Sequence, residues 1–377
     1  MKSDKVYPGI DIIKILAMFF VTTLHIIGAG GILSENNPPV MKMTLCFVYG
    51  ITLCCINLFA LSTGFLQYGR KIKISKLINL RLQAFFWATL TVAVVFLITR
   101  DLSVIKNNIM FCVLMERMNT YWYLSAYTIL FFLMPMLNLA VEKLERKHVL
   151  LSIFVLLLIV SVFPTLYPQT EYVYKGYSFI WLAILYVIGA YIKKYDIASS
   201  VSTLHCGIGF VVSVLLECVY AFLSNSRELN FLWVEYNKHY KDYNCLFLVS
   251  MSISMFLLLS KINVESDKIK KYLRRICSVS FSIYLIQCSP AIFGRYIVEK
   301  FVFVGNFGVI KAVAVTLGIS TAINVVCLTL GFIQDKLFKI IKIPKLCLFI
   351  ENKINICYDY IYKKFAINSA DKKCDVI

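Results

Sequence analysis

Three ionisable side chains, Asp11, Lys14 and His25, lie in or beside the first long apolar stretch, which runs from Tyr7-Pro8-Gly9 to Thr22-Thr23-Leu24-His25. On a helix turning about 100° per residue, Lys14 and His25 fall within about 20° of each other, and Asp11 within about 40° of His25. The three form one stripe with Thr22 close by, and at about 1.5 Å of rise per residue His25 stands roughly 20 Å above Asp11. A neutral imidazole is the natural group to take a proton from a hydroxyl near neutral pH. The plainer role for a lone intramembrane His is a helix–helix hydrogen bond. Its alignment with a carboxylate and an ammonium favours chemistry, because charged groups in lipid are costly and the stripe must face the bundle interior or a wet cavity.

The elements that carry this stripe follow from composition. Residues of the AVILMFWYC class make up 59% of the 377 and charged residues 16%, with a mean hydropathy of +0.75. Soluble domains carry about 25% charged residues because their surfaces face water. A surface this apolar is solvated only by lipid, so the expected fold is an all-α integral membrane protein. A hydrocarbon core about 30 Å thick takes about 20 apolar residues per helix. Ten stretches qualify as spans: 9–32, 43–66, 83–99, 121–140, 149–165, 178–192, 203–223, 244–260, 276–298 and 309–333. Between them fall polar breaks such as Ser34-Glu35-Asn36-Asn37-Pro38-Pro39, Pro164 through Pro168, and 224–243.

With the N-terminus inside, the loops on the cytoplasmic side hold 28 Lys and Arg and the opposite loops 8. This positive-inside asymmetry places both termini in the cytoplasm and the chain in the cell (inner or plasma) membrane as a multi-pass protein. It also accounts for the net charge of +18 without a nucleic-acid partner, since the anionic leaflet attracts basic loops. Residues 1–335 read as one membrane domain, and 336–377 as a basic cytoplasmic tail with an interfacial helix around Pro344. The apolar stretch 109–115 is too short to cross and is expected to dip into the outer interface. Most of the thirteen cysteines lie inside apolar runs with no CxxC spacing, which suits packing rather than disulfides or metal. Lys2 and Lys5 before an apolar run ending in Gly28-Ala29-Gly30 resemble a signal peptide. The run's length and its charges favour a retained first span.

At Asp11, Lys14 and His25 the chain resembles the acyltransferase family 3 membrane proteins, which O-acylate bacterial surface polysaccharides; Lys14 stands where that family has Arg. Further matches are Phe59-Ala60-Leu61-Ser62-Thr63-Gly64-Phe65, with Thr63 in place of Ser, and the basic loop Arg70-Lys71-Ile72-Lys73 through Lys76 and Arg81. Tyr121-Trp122-Tyr123-Leu124 with Pro135 and Asn138, Gly189 through Tyr195, and Ser280 through Gln287 follow in order. The chain departs from the family near Arg81, where a second Arg is replaced by Lys76 and Asn79, and at Gln287, where many members carry a His.

The resemblance implies transfer of an acyl group, most simply acetyl, from cytoplasmic acyl-CoA to a sugar hydroxyl of a surface or lipid-linked polysaccharide. Acyl-CoA is then a donor substrate, and no tightly bound cofactor or metal is expected. It implies His25 as general base or transient acyl carrier, with Asp11 and Lys14 orienting the donor or tuning the cavity. Arg81 would hold CoA phosphate, and Thr63 and Gly64 would allow close backbone approach, although a helix end needs only its Gly. Trp122 and Tyr123 would form a stacking wall for a sugar, or belong to the aromatic interface belt. Glu217, inside the seventh span, binds substrate or pairs with a neighbouring helix. The partners are acyl-CoA, glycan and bilayer, and a homo-oligomer is compatible with all of this. A transporter or flippase for a glycan or lipid intermediate is the rival reading, with the polar stripe as its path.

Overall fold

The computed structural model describes residues 6–33, 37–114, 120–167, 172–225 and 238–374. Among these the regular elements are all helical. The expected breaks at Ser34-Glu35-Asn36 and Pro168, and most of 224–243, lie outside the described residues.

Helix α1 (Pro8–Ile27) starts with Pro at its first position, where the missing N–H costs nothing. It runs through the bundle with Ile10, Ile13, Ala17 and Met18 at 1% exposure or less and none of its residues exposed, so protein surrounds it on every side and its stripe, half-buried, does not stand open to lipid. Against it pack α2 (Pro39–Thr52) and α3 (Cys54–Gln67), and α4 (Ile74–Thr99) follows. The short α5 (Leu102–Val113) is capped by the Asp101 carboxylate, which accepts from the Ser103 N–H at 2.9 Å. There follow α6 (Trp122–Lys143), α7 (Arg146–Leu166), α8 (Phe179–Lys194), α9 (Thr203–Asn225) and α10 (Leu246–Ser260). The chain ends in α11 (Asp267–Val279), α12 (Phe281–Gln287), α13 (Val309–Ile340) and α14 (Ile343–Cys374).

Eight helices among the described residues are long and apolar enough to cross a membrane. Large apolar side chains such as Leu97, Ile98, Phe132, Met136 and Ile310 stand exposed on their outer faces. An apolar exterior of this extent is solvated by lipid, and the chain is a helical membrane protein. Two of the ten expected spans take another form. The stretch 276–298 is not one straight span: Asp267–Gln287 and Pro290–Asn306 meet at 55°, because Pro290 cannot continue the ladder begun before it. The stretch 178–192 is α8, whose 16 residues reach about 24 Å, short of a core about 30 Å thick. It is largely buried between α3 and α6.

Helices α3 and α8 approach each other closely. A Cβ on Gly64 would collide with the Tyr186 carbonyl, and one on Gly189 with the Leu61 carbonyl. The two glycines let the helix backbones touch, as small residues do in membrane bundles. Past residue 335, α13 continues to Ile340; Lys342 then turns the chain at φ 61 and α14 begins. The 109–115 stretch belongs largely to α5, which packs on α4.

Candidate functional site

His25 lies in the last turn of α1 and borders a cavity of about 30 Å³. The walls include Phe59 from α3, Trp122 and Tyr123 from α6, Tyr243, and Phe281 and Tyr284 from α12. The imidazole Nδ1 is fully enclosed and makes no hydrogen bond among the described residues. Gln287 faces the same ring and is anchored by donating from Nε2 to Thr22 Oγ1 at 2.8 Å. Thr23, one residue on, donates to Ser320 of α13 at 3.0 Å. The end of α1 that carries His25 is thus clamped from two sides. A ring nitrogen with no competing bond beside a small aromatic-walled space is suited to receive a hydroxyl proton.

The walls are held by buried polar contacts. Asn57 donates to the Tyr243 carbonyl at 3.0 Å and to Ser252 Oγ at 3.2 Å, and accepts from Trp181 Nε1 at 3.0 Å. Those bonds fix the segment that presents the Tyr243 ring, which stacks on Trp122 with centroids 6.0 Å apart. Tyr121 Oη donates to the Leu285 carbonyl at 2.5 Å, tying the start of α6 to α12. Trp122 and Tyr123 both line the His25 cavity.

Asp11 and Lys14 stand at the other end of α1, roughly 20 Å of helix rise from His25. Asp11 accepts a hydrogen bond from the Cys277 thiol, and Lys14 and Arg274 act on it electrostatically. Asp11 thus shares the stripe with His25 but not its cavity, and lies in a charged cluster against α11. Nearby, the Lys193 ammonium sits over the rings of Tyr7 and Phe65, at 4.1 and 4.8 Å. Lys194 donates to the Val141 carbonyl at 2.8 Å.

At this same end opens a basin of about 710 Å³, bordered by Arg70, Lys71, Pro135, Asn138 and Glu142. Arg81 is not on its rim; its guanidinium donates to Thr128 Oγ1 on α6 at 2.7 Å. The Thr63 hydroxyl donates to the Phe59 carbonyl one turn earlier at 2.8 Å. What approaches Gly64 is the backbone of α8, which fills the space expected for a donor molecule. Gly64 is a packing residue.

Glu217 borders a different cavity, between α2 and α9, and so is not brought to His25. A buried pair that no motif marks lies in the segment before α10: His239 Nδ1 is 2.7 Å from Asp242 Oδ2, with both side chains under 10% exposed. Their i,i+3 spacing was the available signal. Phe281 and Tyr284 reach the cavity from the Ser280 through Gln287 motif, whereas Tyr243 comes from a segment that no motif marks.

A model of the acyltransferase domain, the family expected from the first-span stripe, matches residues 7–332. The chain belongs to acyltransferase family 3. The matched stretch runs from the residue before Pro8 to within α13 and so contains the whole His25 cavity and the basin. Searches of curated proteins and of solved structures gave no match. In this acyltransferase the match ends within α13, before α14 begins.

Proposed function

We propose that this membrane acyltransferase moves an acyl group, most simply acetyl, from cytoplasmic acyl-CoA to a sugar hydroxyl of a surface or lipid-linked polysaccharide. The observation that carries the reading is His25, with an unbonded Nδ1, set in a cavity walled by Trp122 and Tyr123. In the reaction His25 takes the hydroxyl proton as the sugar oxygen attacks the thioester carbonyl. The new C–O ester bond forms, the C–S bond breaks, and the proton passes to the departing thiolate, releasing free CoA. The aromatic walls part to admit the sugar ring, since the cavity of about 30 Å³ holds only a water or two, and then stack on it and exclude bulk water.

The donor enters from the opposite end. Arg70 and Lys71 at the basin supply cations for its phosphates, with Arg81, about two turns into α4, as the next anchor. Lys14 and Asp11 tune the passage between the ends, which the extended pantetheine arm of CoA would thread. In this reading the basic end and both termini are cytoplasmic, the protein sits in the inner or plasma membrane, and α8 and the bent pair bring the spans to ten. The tail helix α14 then lies along the cytoplasmic interface, with Leu346, Phe349 and Ile356 toward lipid.

The test uses purified protein with acetyl-CoA and the polysaccharide. Free thiol and glycan ester should appear together and depend on both substrates. A flippase would move glycan with no thiol released. In cells, surface polysaccharide should lose its ester when the protein is removed; unchanged ester content would refute the reading.

A further inference from the structure

The cavity that contains Glu217 takes no part in the reaction above. It measures about 340 Å³. Its walls include Val40, Met43 and Phe47 of α2 and Phe222 of α9, which are 69%, 70%, 42% and 65% exposed on the outside of the bundle. The stretch Pro39–Gln67, whose first half is α2, and helix α9 are each long and apolar enough to cross the membrane, so the cavity opens sideways into lipid and not into water.

Into this apolar space projects one carboxyl. Glu217 is 3% exposed. Its Oε2 accepts from the Cys245 thiol at 3.5 Å, and Oε1 has no hydrogen-bond partner among the described residues. Gly50 faces the side chain across the gap; a Cβ there would lie 3.6 Å from Glu217 Cγ. A buried polar atom without a partner is costly, and the cost is relieved by a ligand that supplies a donor. Lys42 lines the same cavity, two turns and about 12 Å along α2 from Gly50. Lys42 and Lys241 both act electrostatically on Cys46, which lies between those two levels.

A molecule that fits must arrive through lipid, carry apolar chains, present an anion to Lys42 and offer a cationic N–H donor to Glu217. We propose that the cavity between α2 and α9 binds one amine-headed phospholipid. Its phosphate meets Lys42, its ammonium meets Glu217 Oε1, and its chains leave between Met43, Phe47 and Phe222. Apolar walls with a few placed polar groups are the usual make-up of such a site. A hydroxyl-headed phospholipid offers the donor without the charge, and a choline-headed one offers the charge without the donor. The assignment is independent of the acyl-transfer reading.

The test titrates the purified full-length protein with amine-, glycerol- and choline-headed phospholipids of identical chains, following bound lipid by native mass spectrometry. The amine-headed lipid should bind on the order of tenfold more tightly than the other two, the size of one charge-assisted contact. Glu217→Gln should remove that preference, and Lys42→Ala should weaken all three alike. Cys46→Trp keeps both charged groups and fills the cavity, so it should lose the bound lipid even if the Gln variant fails to fold. Equal binding of the three lipids to the wild type, a preference that survives Glu217→Gln, or full retention by Cys46→Trp would each overturn the site.

Discussion

The His25 imidazole meets the Phe293 ring edge to face, with centroids 5.2 Å apart and planes at 81°. Phe293 opens a π-helical turn, Phe293–Ile297, just past the break at Pro290. Such turns are uncommon and concentrate at functional sites, where they re-aim side chains. Here the irregular backbone that interrupts the expected straight span carries the ring that fixes the plane of the candidate base.

Edge-to-face pairs contribute about 0.5–1.5 kcal/mol. If that contact orients the base, Phe293→Leu should lower the acylation rate by up to about tenfold and leave the donor KM unchanged. Steady-state kinetics with acyl-CoA varied at saturating glycan measures both. A rise in donor KM with an unchanged rate would remove Phe293 from the acceptor end.

His25 itself should be far more sensitive. General-base catalysis contributes about 10² to 10⁴-fold, so His25→Gln should lower glycan ester formation and CoA release together by that order while the protein still accumulates. Gln keeps approximate size and hydrogen bonding but takes no proton at neutral pH. Near-normal ester formation by His25→Gln would leave His25 as helix–helix glue.

For the donor, Arg81→Ala should raise the apparent KM for acyl-CoA more than that for glycan, and Arg81→Lys should restore it only partly, since an ammonium lacks the planar fork. Arg81 also donates to Thr128, so Thr128→Val serves as the control. It should leave donor KM within about twofold, because charge and not that single bond is asked to act. A donor KM that ignores Arg81→Ala and rises in Arg70→Ala/Lys71→Ala would move the phosphate contact to the basin.

Gly64 and Gly189 should be intolerant for a reason unconnected with donor. Gly189→Ala inserts a methyl against the Leu61 carbonyl of α3 and should destabilise the protein by about 1–3 kcal/mol, as overpacking does. Thermal unfolding in detergent reads this directly. A variant as stable as the wild type would mean that the two backbones separate without cost.

Orientation is tested by fusion. A reporter placed after residue 377 should read as cytoplasmic and one at Asn37 as external, following the basic asymmetry. The opposite result for the fusion after 377 would exclude both the ten-span count and the cytoplasmic tail.

The sequence by itself determined the solvent and the element type, because both depend on neighbours along the chain. Apolar runs of about 20 residues demand lipid and internally satisfied backbones, and the helical period placed Asp11, Lys14 and His25 on one stripe without reference to any other segment. Family membership was legible for the same reason, through local motifs in order. Only the tertiary structure decided what each stripe faces. It put Asp11 beside Cys277 and Arg274 and not beside His25, gave Gly64 to the backbone of α8, and set Glu217 in a lipid-side cavity of its own. It also drew Tyr243 to Trp122 across more than one hundred intervening residues, through Asn57 on a third helix. Those outcomes rest on which helix faces pack, and helices that are apolar almost all round carry little local record of that choice.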